Sequence, residues 1–331
     1  MLKGEEINKQ VENIYSFTKD KYGENNILGV FVVGNANYNL VEDISELSYL
    51  LLTLPTLEQL CFEETNMFFE DILGNTIEVV DLPLLYTYSL KQNQLVMQIL
   101  ITEYFKINPL YKEYFLNEVK PLGDELFALD KKTRLSTAVE DLQYSLTENN
   151  NLEAARLDLT IDNYINGVPL EQCIKIKNTV LLNYLMDVKH NKQEIDTESL
   201  MLRIIHYQNY IKNLPSVENN LRYEECQKLL KQKIVTLIGR AIQNDKNNTD
   251  TFLNMFTSRE KEALKAIIER LDDGKGNISL KKIIDECNIS RPVFMNVINK
   301  IKNAGAAEVI NQGAKGTYFN ILNPKLFNIE I

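Results

Sequence analysis

Apolar residues recur at helical spacing through residues 4–22, where Ile7, Val11, Ile14 and Tyr15 fall on one side and predict an amphipathic helix. The pattern then changes. NILGVFVVG (26–34) is an unbroken apolar run ending at glycine, which predicts a buried strand running into a turn. SYLLLTLP (48–55), closed by Pro55, and TIEVVDL (76–82), alternating around Val79 and Val80, predict two more strands. From 83 to about 120 the spacing is helical again, and helices separated by short polar breaks continue to about 243. Strands followed by helices predict an α+β chain, mostly helical: a small sheet packed by helices, then a helical region. NDKNNTD (244–250) is polar and aperiodic and predicts a domain boundary.

Beyond that boundary, TSREKEALKAIIERLDDGKG opens with a helix start, Ser258 or Thr257 capping and glutamates in the first turn. Leu264, Ile267, Ile268 and Leu271 form its apolar stripe, and Asp272 to Gly276 stop it. SLKKIIDECN predicts a second helix capped by Ser279. ISRPVFMNVINKIKNAG predicts a third, with Ser290 as cap, Pro292 in the first turn and Gly305 at the end. Val293, Phe294, Val297, Ile298 and Ile301 face inward. Asn296, Asn299, Lys300 and Asn303 take another face, with Arg291 at the leading end. AAEVINQ and TYFNILN then read as two strands joined by the tip GAKG. Three helices and a hairpin are the order of a winged helix-turn-helix. Its third helix presents leading residues to base edges in the major groove, where arginine pairs with guanine and asparagine with adenine. In the wing, Gly313 and Gly316 let the backbone approach DNA, while Lys315 meets phosphate or the minor groove.

Charge sharpens this division. The 331 residues carry 36 Lys and Arg against 46 Asp and Glu, a net charge of -10, which argues against indiscriminate binding to phosphate backbones. The excess acid is uneven. Residues 251–331 hold 12 basic and 9 acidic side chains, and 275–325 hold 8 and 3. One basic end on an acidic chain suggests contact with a polyanion. The four cysteines (61, 173, 226 and 287) form no CxxC, and His190 and His206 are the only histidines, so a zinc site is not expected. No run of about 18 apolar residues and no leader-like apolar core are present, so the expectation is a soluble protein of the reducing cytoplasm, without membrane contact.

The stretch NISRPVFMNVINKIKNAGAAEVINQGAKGTYFNILN resembles the DNA-binding domain of the CodY family of nutrient-responsive repressors. Ser290 and Arg291 match a Thr-Arg pair, Asn296 the helix asparagine, Ala304-Gly305 the turn, and Gly313, Lys315, Gly316 and Thr317 the wing. Asn288 replaces a family glycine, Pro292 a serine, and Ala306-Ala307 a bulkier pair. The resemblance covers about one fifth of the chain. It implies that Ser290, Arg291, Asn296, Asn299, Lys300, Lys315, Gly316 and Thr317 meet DNA.

Residues 27–120 resemble instead a predicted nucleotidyltransferase family of the DNA polymerase beta superfamily, in GVFVVGNANYNLVEDISELSYLLLTLPTLEQL and EVVDLPLLYTYSLKQNQLVMQILITEYFKINPLYKEYF. NYINGVPLEQCI fits that family's helical half more weakly. The implied chemistry needs a glycine-serine loop for phosphates, two carboxylates one residue apart on a strand, and a third from a neighbouring strand to hold Mg2+. Here Gly34 is kept, but Asn35 replaces the loop serine and Asn39 the second glycine. The carboxylate pair becomes Glu46 and Ser48, and Glu78 or Asp81 stands third. One ligand of three is missing, which weakens phosphoryl-transfer chemistry.

The resulting expectation has three parts: a degenerate transferase-like domain (1–120), a helical region (121–243) and a winged helix-turn-helix (251–331). The chain is read as a non-enzymatic, DNA-binding transcription regulator and homodimer. Its body would bind a nucleotide or small effector through Gly34, Asn35, Glu46 and Asp81, or dimerise, or hold a partner protein. No cofactor is expected, Mg2+ entering only if the transferase is active. An active nucleotidyltransferase and a protein-interaction adaptor are the competing classes.

Overall fold

The computed structural model describes the chain except residues 1, 62–64, 66, 170–171, 174–175, 177, 218–219, 245–251, 314–315, 324–326 and 328–331. The fold is α+β and mostly helical, and falls into two compact units. The first comprises Met1–Gly23, Ile27–Thr53 and Met67–Lys233. The second comprises Glu24–Asn26, Leu54–Asn66 and Ile234–Ile331.

In the first unit, helix α1 (Gly4–Tyr22) has Glu5 and Glu6 in its first turn and Lys19 and Lys21 in its last, charges that suit the helix dipole at each end. Strands β1 (Ile27–Val33) and β2 (Ser48–Thr53) follow. Helix α2 (Leu57–Cys61) comes next in sequence and belongs to the second unit. Strands β3 (Met67–Ile72), β4 (Asn75–Asp81) and β5 (Phe105–Ile107) complete a five-stranded mixed sheet in the order β3-β4-β2-β1-β5. Only β2 and β4 run parallel, with Leu50 opposite Glu78 and Thr53 opposite Asp81. On one face Val30, Val32, Tyr49, Leu51, Ile77 and Val79 pack with Ile7, Val11, Ile14 and Tyr15 of α1. On the other, the Phe31 ring lies 6.1 Å from Phe105 and 6.0 Å from Phe115. Every residue of β1 is buried, because both faces of this central strand are covered.

The helices of this unit are α3 (Leu82–Leu90), α4 (Gln94–Ile101), α5 (Pro109–Tyr114), α6 (Lys120–Leu129), α7 (Lys131–Thr147), α8 (Asn151–Ile165), α9 (Thr179–Lys189), α10 (Thr197–Lys212) and the start of α11 (Leu221–Asn244). Asn93, Asn108, Asp130, Asn150, Asn178 and Asp196 accept backbone N–H groups at successive helix starts, which is why the polar breaks in the pattern mark real termini.

Two strands depart from the sequence reading. Strand β3 reads MFFEDI and sits at the sheet edge with Met67, Phe68 and Phe69 exposed, so no alternation marks it. Strand β5 interrupts the stretch 83–120 that reads as helical, its three residues being held by pairing to β1. Residues on both sides of position 120 share the first unit, and the division falls inside α11, between Lys233 and Ile234. Most of the predicted boundary, 245–250, lies outside the described residues.

The second unit contains α2, the end of α11, α12 (Ser258–Ile268), β6 (Lys275–Ile278), α13 (Leu280–Cys287), α14 (Arg291–Asn303), β7 (Ala307–Asn311) and β8 (Thr317–Ile321). Thr257 caps α12 in a full capping box with Glu260. Strand β8 is central in the three-stranded sheet, order β6-β8-β7. Strand β6 begins within the residues that read as a helix stop, at Lys275, and its four residues pair with Thr317–Asn320. Phe294, Val297, Ile301 and Phe319 are buried in this unit's core, together with Ala306 and Ala307.

Candidate nucleic-acid interface and the transferase-like cleft

Helix α14 starts where Asn288 adopts the left-handed conformation, φ 47°, at the end of α13. Asparagine tolerates that region better than other side chains, which accounts for its standing where the resembled family has glycine. Ser290 then occupies the N-cap position in an extended conformation, but its side chain makes no capping bond, contrary to the expectation that it caps the helix. Ser279 likewise stands at the start of α13 without a side-chain cap.

The helix divides cleanly. Phe294, Val297, Ile298 and Ile301 are buried, while Arg291, Met295, Asn296, Asn299 and Lys302 are exposed. Arg291, Met295, Asn299 and Lys302 line one concave surface with Ser279 and Lys281 at the start of α13, and with Gly313, Gly316 and Thr317 from the hairpin. Its volume is about 580 Å3. Five of the sequence-predicted residues (Arg291, Asn299, Gly313, Gly316 and Thr317) therefore converge. Asn296 is exposed on the same helix, and Ser290 is exposed at its leading end. Lys315, the predicted wing cation, lies outside the described residues.

Gly316 has φ +94°, and a Cβ there would stand 2.6 Å from the Ile278 carbonyl oxygen. Backbone conformation and the approach of β6 both demand glycine at this position. Its N–H donates to the Gly313 carbonyl at 3.0 Å and its carbonyl accepts from Gln312 at 2.8 Å, closing the hairpin.

Lys300 does not belong with these residues. Its Nζ donates to the Met255 carbonyl at 2.8 Å and to Glu260 Oε2 at 3.0 Å, and lies 5.2 Å from the centre of the Phe256 ring. The two side chains are 12% and 6% exposed. Burial pushes the Glu260 carboxyl up, but the Thr257 N–H and the Lys300 ammonium outweigh it and hold the group below the ordinary glutamate value. Lys300 therefore ties α14 to α12. On the same side of the helix, Cys61 of α2 donates to the Lys300 carbonyl at 3.8 Å, and burial pushes the Cys61 thiol up to about 11. In its place Lys281 and Lys302, which the sequence reading did not single out, supply cations to the concave surface. The available signal was the helical spacing of Arg291, Met295 and Lys302.

The transferase-like residues sit in the first unit and do not gather. Gly34 takes φ +72° beside Ser48, and its N–H is bonded to the Gln98 side chain. That amide belongs to the network by which Thr102 donates to Asn37 at 2.8 Å and Asn37 to the Val32 carbonyl at 3.2 Å. Asn35 accepts from Arg156 Nη1 at 3.2 Å. The Arg156 guanidinium is buried, paired with Glu153 and stacked 4.2 Å from the centre of the Tyr38 ring. Glu46, just before β2, is held by Lys189 of α9 at 2.5 Å and accepts the Glu42 N–H at 3.1 Å.

Register decides the third carboxylate. Ser48, Leu50 and Glu78 share one sheet face, whereas Thr53 and Asp81 point to the other and lie at the far end of the parallel pair. Asp81 is buried and accepts from the Thr53 hydroxyl at 2.6 Å. Between the two alternatives in the sequence, Glu78 is the residue on the Ser48 face, and burial pushes its carboxyl up. Among the described residues no three His, Cys, Asp or Glu side chains are grouped to hold a metal ion.

Residues 274–330 match the CodY helix-turn-helix domain. The chain is 30% identical over 118 residues to the global transcriptional regulator CodY of Lysinibacillus sphaericus, covering 32% of this chain and 46% of that protein. It is 42% identical over 79 residues to the CodY of Bacillus pumilus, covering 24% and 30%. The chain thus spans less than half the length of these curated relatives. Among solved structures it is similar to a nucleotidyltransferase-like protein from Exiguobacterium sibiricum, with 12% identity, 96% and 99% of the two chains covered and a TM-score of 0.26.

Proposed function

We propose that this chain is a DNA-binding transcription regulator of the cytoplasm that reads duplex DNA with the exposed face of α14 and braces itself with the hairpin. The observation that carries this reading is the convergence of Arg291, Asn299, Lys302 and Lys281 with Gly316 and Thr317 on one concave surface. Arginine and asparagine on the exposed face of a helix suit base edges, and the lysines suit phosphates. From the sequence, the wing Lys315 is read as a further phosphate or minor-groove contact. As a homodimer the protein would address paired half-sites.

The transferase-like body acts in this reading without catalysis, as a sensor or dimerisation domain. Three features support it: Ser48 stands at a carboxylate position, Glu46 is neutralised by Lys189, and the Gly34 N–H is satisfied by Gln98. A phosphate entering that loop would have to displace Gln98 from it.

Footprinting and gel-shift titration on DNA upstream of the protein's own operon test the reading. A protected site whose affinity falls with Arg291→Ala and with Lys315→Ala is the expected result. Equal affinity for every duplex at physiological salt would refute sequence-specific recognition. Incubation with labelled nucleoside triphosphates and Mg2+ tests the body, and turnover that disappears in Glu46→Ala would overturn the non-catalytic reading.

A further inference from the structure

Helix α10 buries Leu200, Ile204, Tyr207 and Ile211 on one side, packed towards α7. That set is enough to hold a surface helix in place. Yet the opposite side is not polar throughout. Met201 is 52% exposed, Leu202 69% and Ile205 55%. At about 100° per residue these three fall within about 60° of Ile205 on the helical wheel. So do Glu198 and Lys212, seven residues before and after it and both exposed. Neither Glu198 nor Lys212 has an ion-pair partner among the described residues.

The geometry points to a second copy of this chain as the occupant of that stripe, its α10 lying antiparallel across a two-fold axis near Ile205. The order acid, apolar centre, base is what fixes the partner. Reversed and laid against itself, it puts Ile205 on Ile205, and sets Leu202 and Met201 of each copy over Gln208 and Asn209 of the other. It also sets Glu198 of each copy beside Lys212 of the other, so both unpaired charges gain a partner. An isologous contact requires this self-complementarity, and a parallel arrangement would set like charges together. The antiparallel helix dipoles add to the attraction. The inference rests on the homodimer reading above and locates its seam. A stripe about 21 Å long, from Glu198 to Lys212, is smaller than a standard interface of about 800 Å2 per partner, so the association is expected in the micromolar range.

Sedimentation velocity of the full chain from 1 to about 100 μM tests this, with circular dichroism to check folding. Wild type is expected to pass from monomer to dimer across that range. Ile205→Glu should remain monomeric with unchanged helicity, since the site is exposed. Glu198→Lys and Lys212→Glu should each weaken the dimer about tenfold or more, and the double variant Glu198→Lys/Lys212→Glu should restore it. Failure of the double variant to recover would overturn the antiparallel seam. A dimer untouched by Ile205→Glu would overturn this surface while leaving the homodimer reading intact. A wild type that stays monomeric at the highest concentration would overturn both, and DNA binding would be judged by its own assay.

Discussion

Lys300 and Lys302 stand two residues apart on the helix proposed to read DNA, and the structure gives them opposite work. Lys300→Met keeps the length and apolar stem but removes the ammonium from Glu260 and from the Met255 carbonyl. Among the described residues, the Glu260 carboxylate, 6% exposed, would keep Thr257 as its close partner, chiefly through the backbone N–H. Leaving one charge of a buried pair uncompensated costs about 3–5 kcal/mol, and the surviving N–H bond argues for the lower end. At roughly 4–8 °C per kcal/mol for a domain of 60–100 residues, a loss of about 3 kcal/mol lowers the transition by about 12–24 °C. Calorimetry of the full chain reads this directly. At 10 °C the folded variant should bind DNA with the wild-type affinity and the wild-type salt slope. Lys302→Ala should do the reverse, leaving the melting temperature in place and reducing the salt slope by about 0.9. The double variant Glu260→Gln/Lys300→Met should recover most of the stability, because glutamine still completes the capping box and no charge remains buried. If Lys300→Met melts like wild type and weakens DNA binding as Lys302→Ala does, then Lys300 faces phosphate and the buried pair is not formed.

Other expected outcomes follow from the same geometry. Gly316→Ala should cost roughly 1–3 kcal/mol and weaken operator binding, since φ +94° and the Ile278 carbonyl both oppose a Cβ; an unchanged melting curve would show that the hairpin closes differently. Arg291→Ala should lose about 1–3 kcal/mol of discrimination at one base position while leaving nonspecific binding nearly intact, which a mutated-operator series measures. Asp141, on α7, is pushed up to about 6 by burial and then by Glu153 and Glu140. Its folded value lies above its unfolded value, so its ionisation disfavours the fold at neutral pH and protonation relieves this as pH falls through 6. Asp141→Asn should therefore raise the melting temperature at pH 7 and reduce any gain between pH 7 and 5. Burial pushes the thiols of Cys61 and Cys226 up to about 11 and that of Cys173 up to about 12, so at pH 8 all three should react slowly with a disulfide reagent until the protein unfolds.

Much of this was legible before any coordinates. The 3.6-residue spacing of Ile7, Val11 and Ile14, the apolar runs of β1 and β2, and the three helices and hairpin at the C-terminus all appear where the pattern places them, because each is a local periodicity read against a buried surface. The sequence was equally able to mark Asn296, which lies opposite the apolar stripe, whereas Arg291 stands about 20° from buried Ile298 and is exposed at the leading end. Lys300 was ambiguous in principle. At about 100° per residue it lies about 40° from exposed Asn296 and about 60° from buried Val297. Only the arrival of Glu260 and Met255 from another segment turned it inward.

The same limit governs the sheet and the cleft. Strands β3, β5 and β6 are short or marginal and exist by pairing, which no single segment encodes. That Glu78 rather than Asp81 shares a face with Ser48 follows from the register of two strands 28 residues apart in their pairing, a one-residue matter that side-chain period cannot fix alone. Local spacing determined which segments would be helix or strand and where the basic surface would lie; partners distant in the chain decided which of its charges are free to meet a ligand.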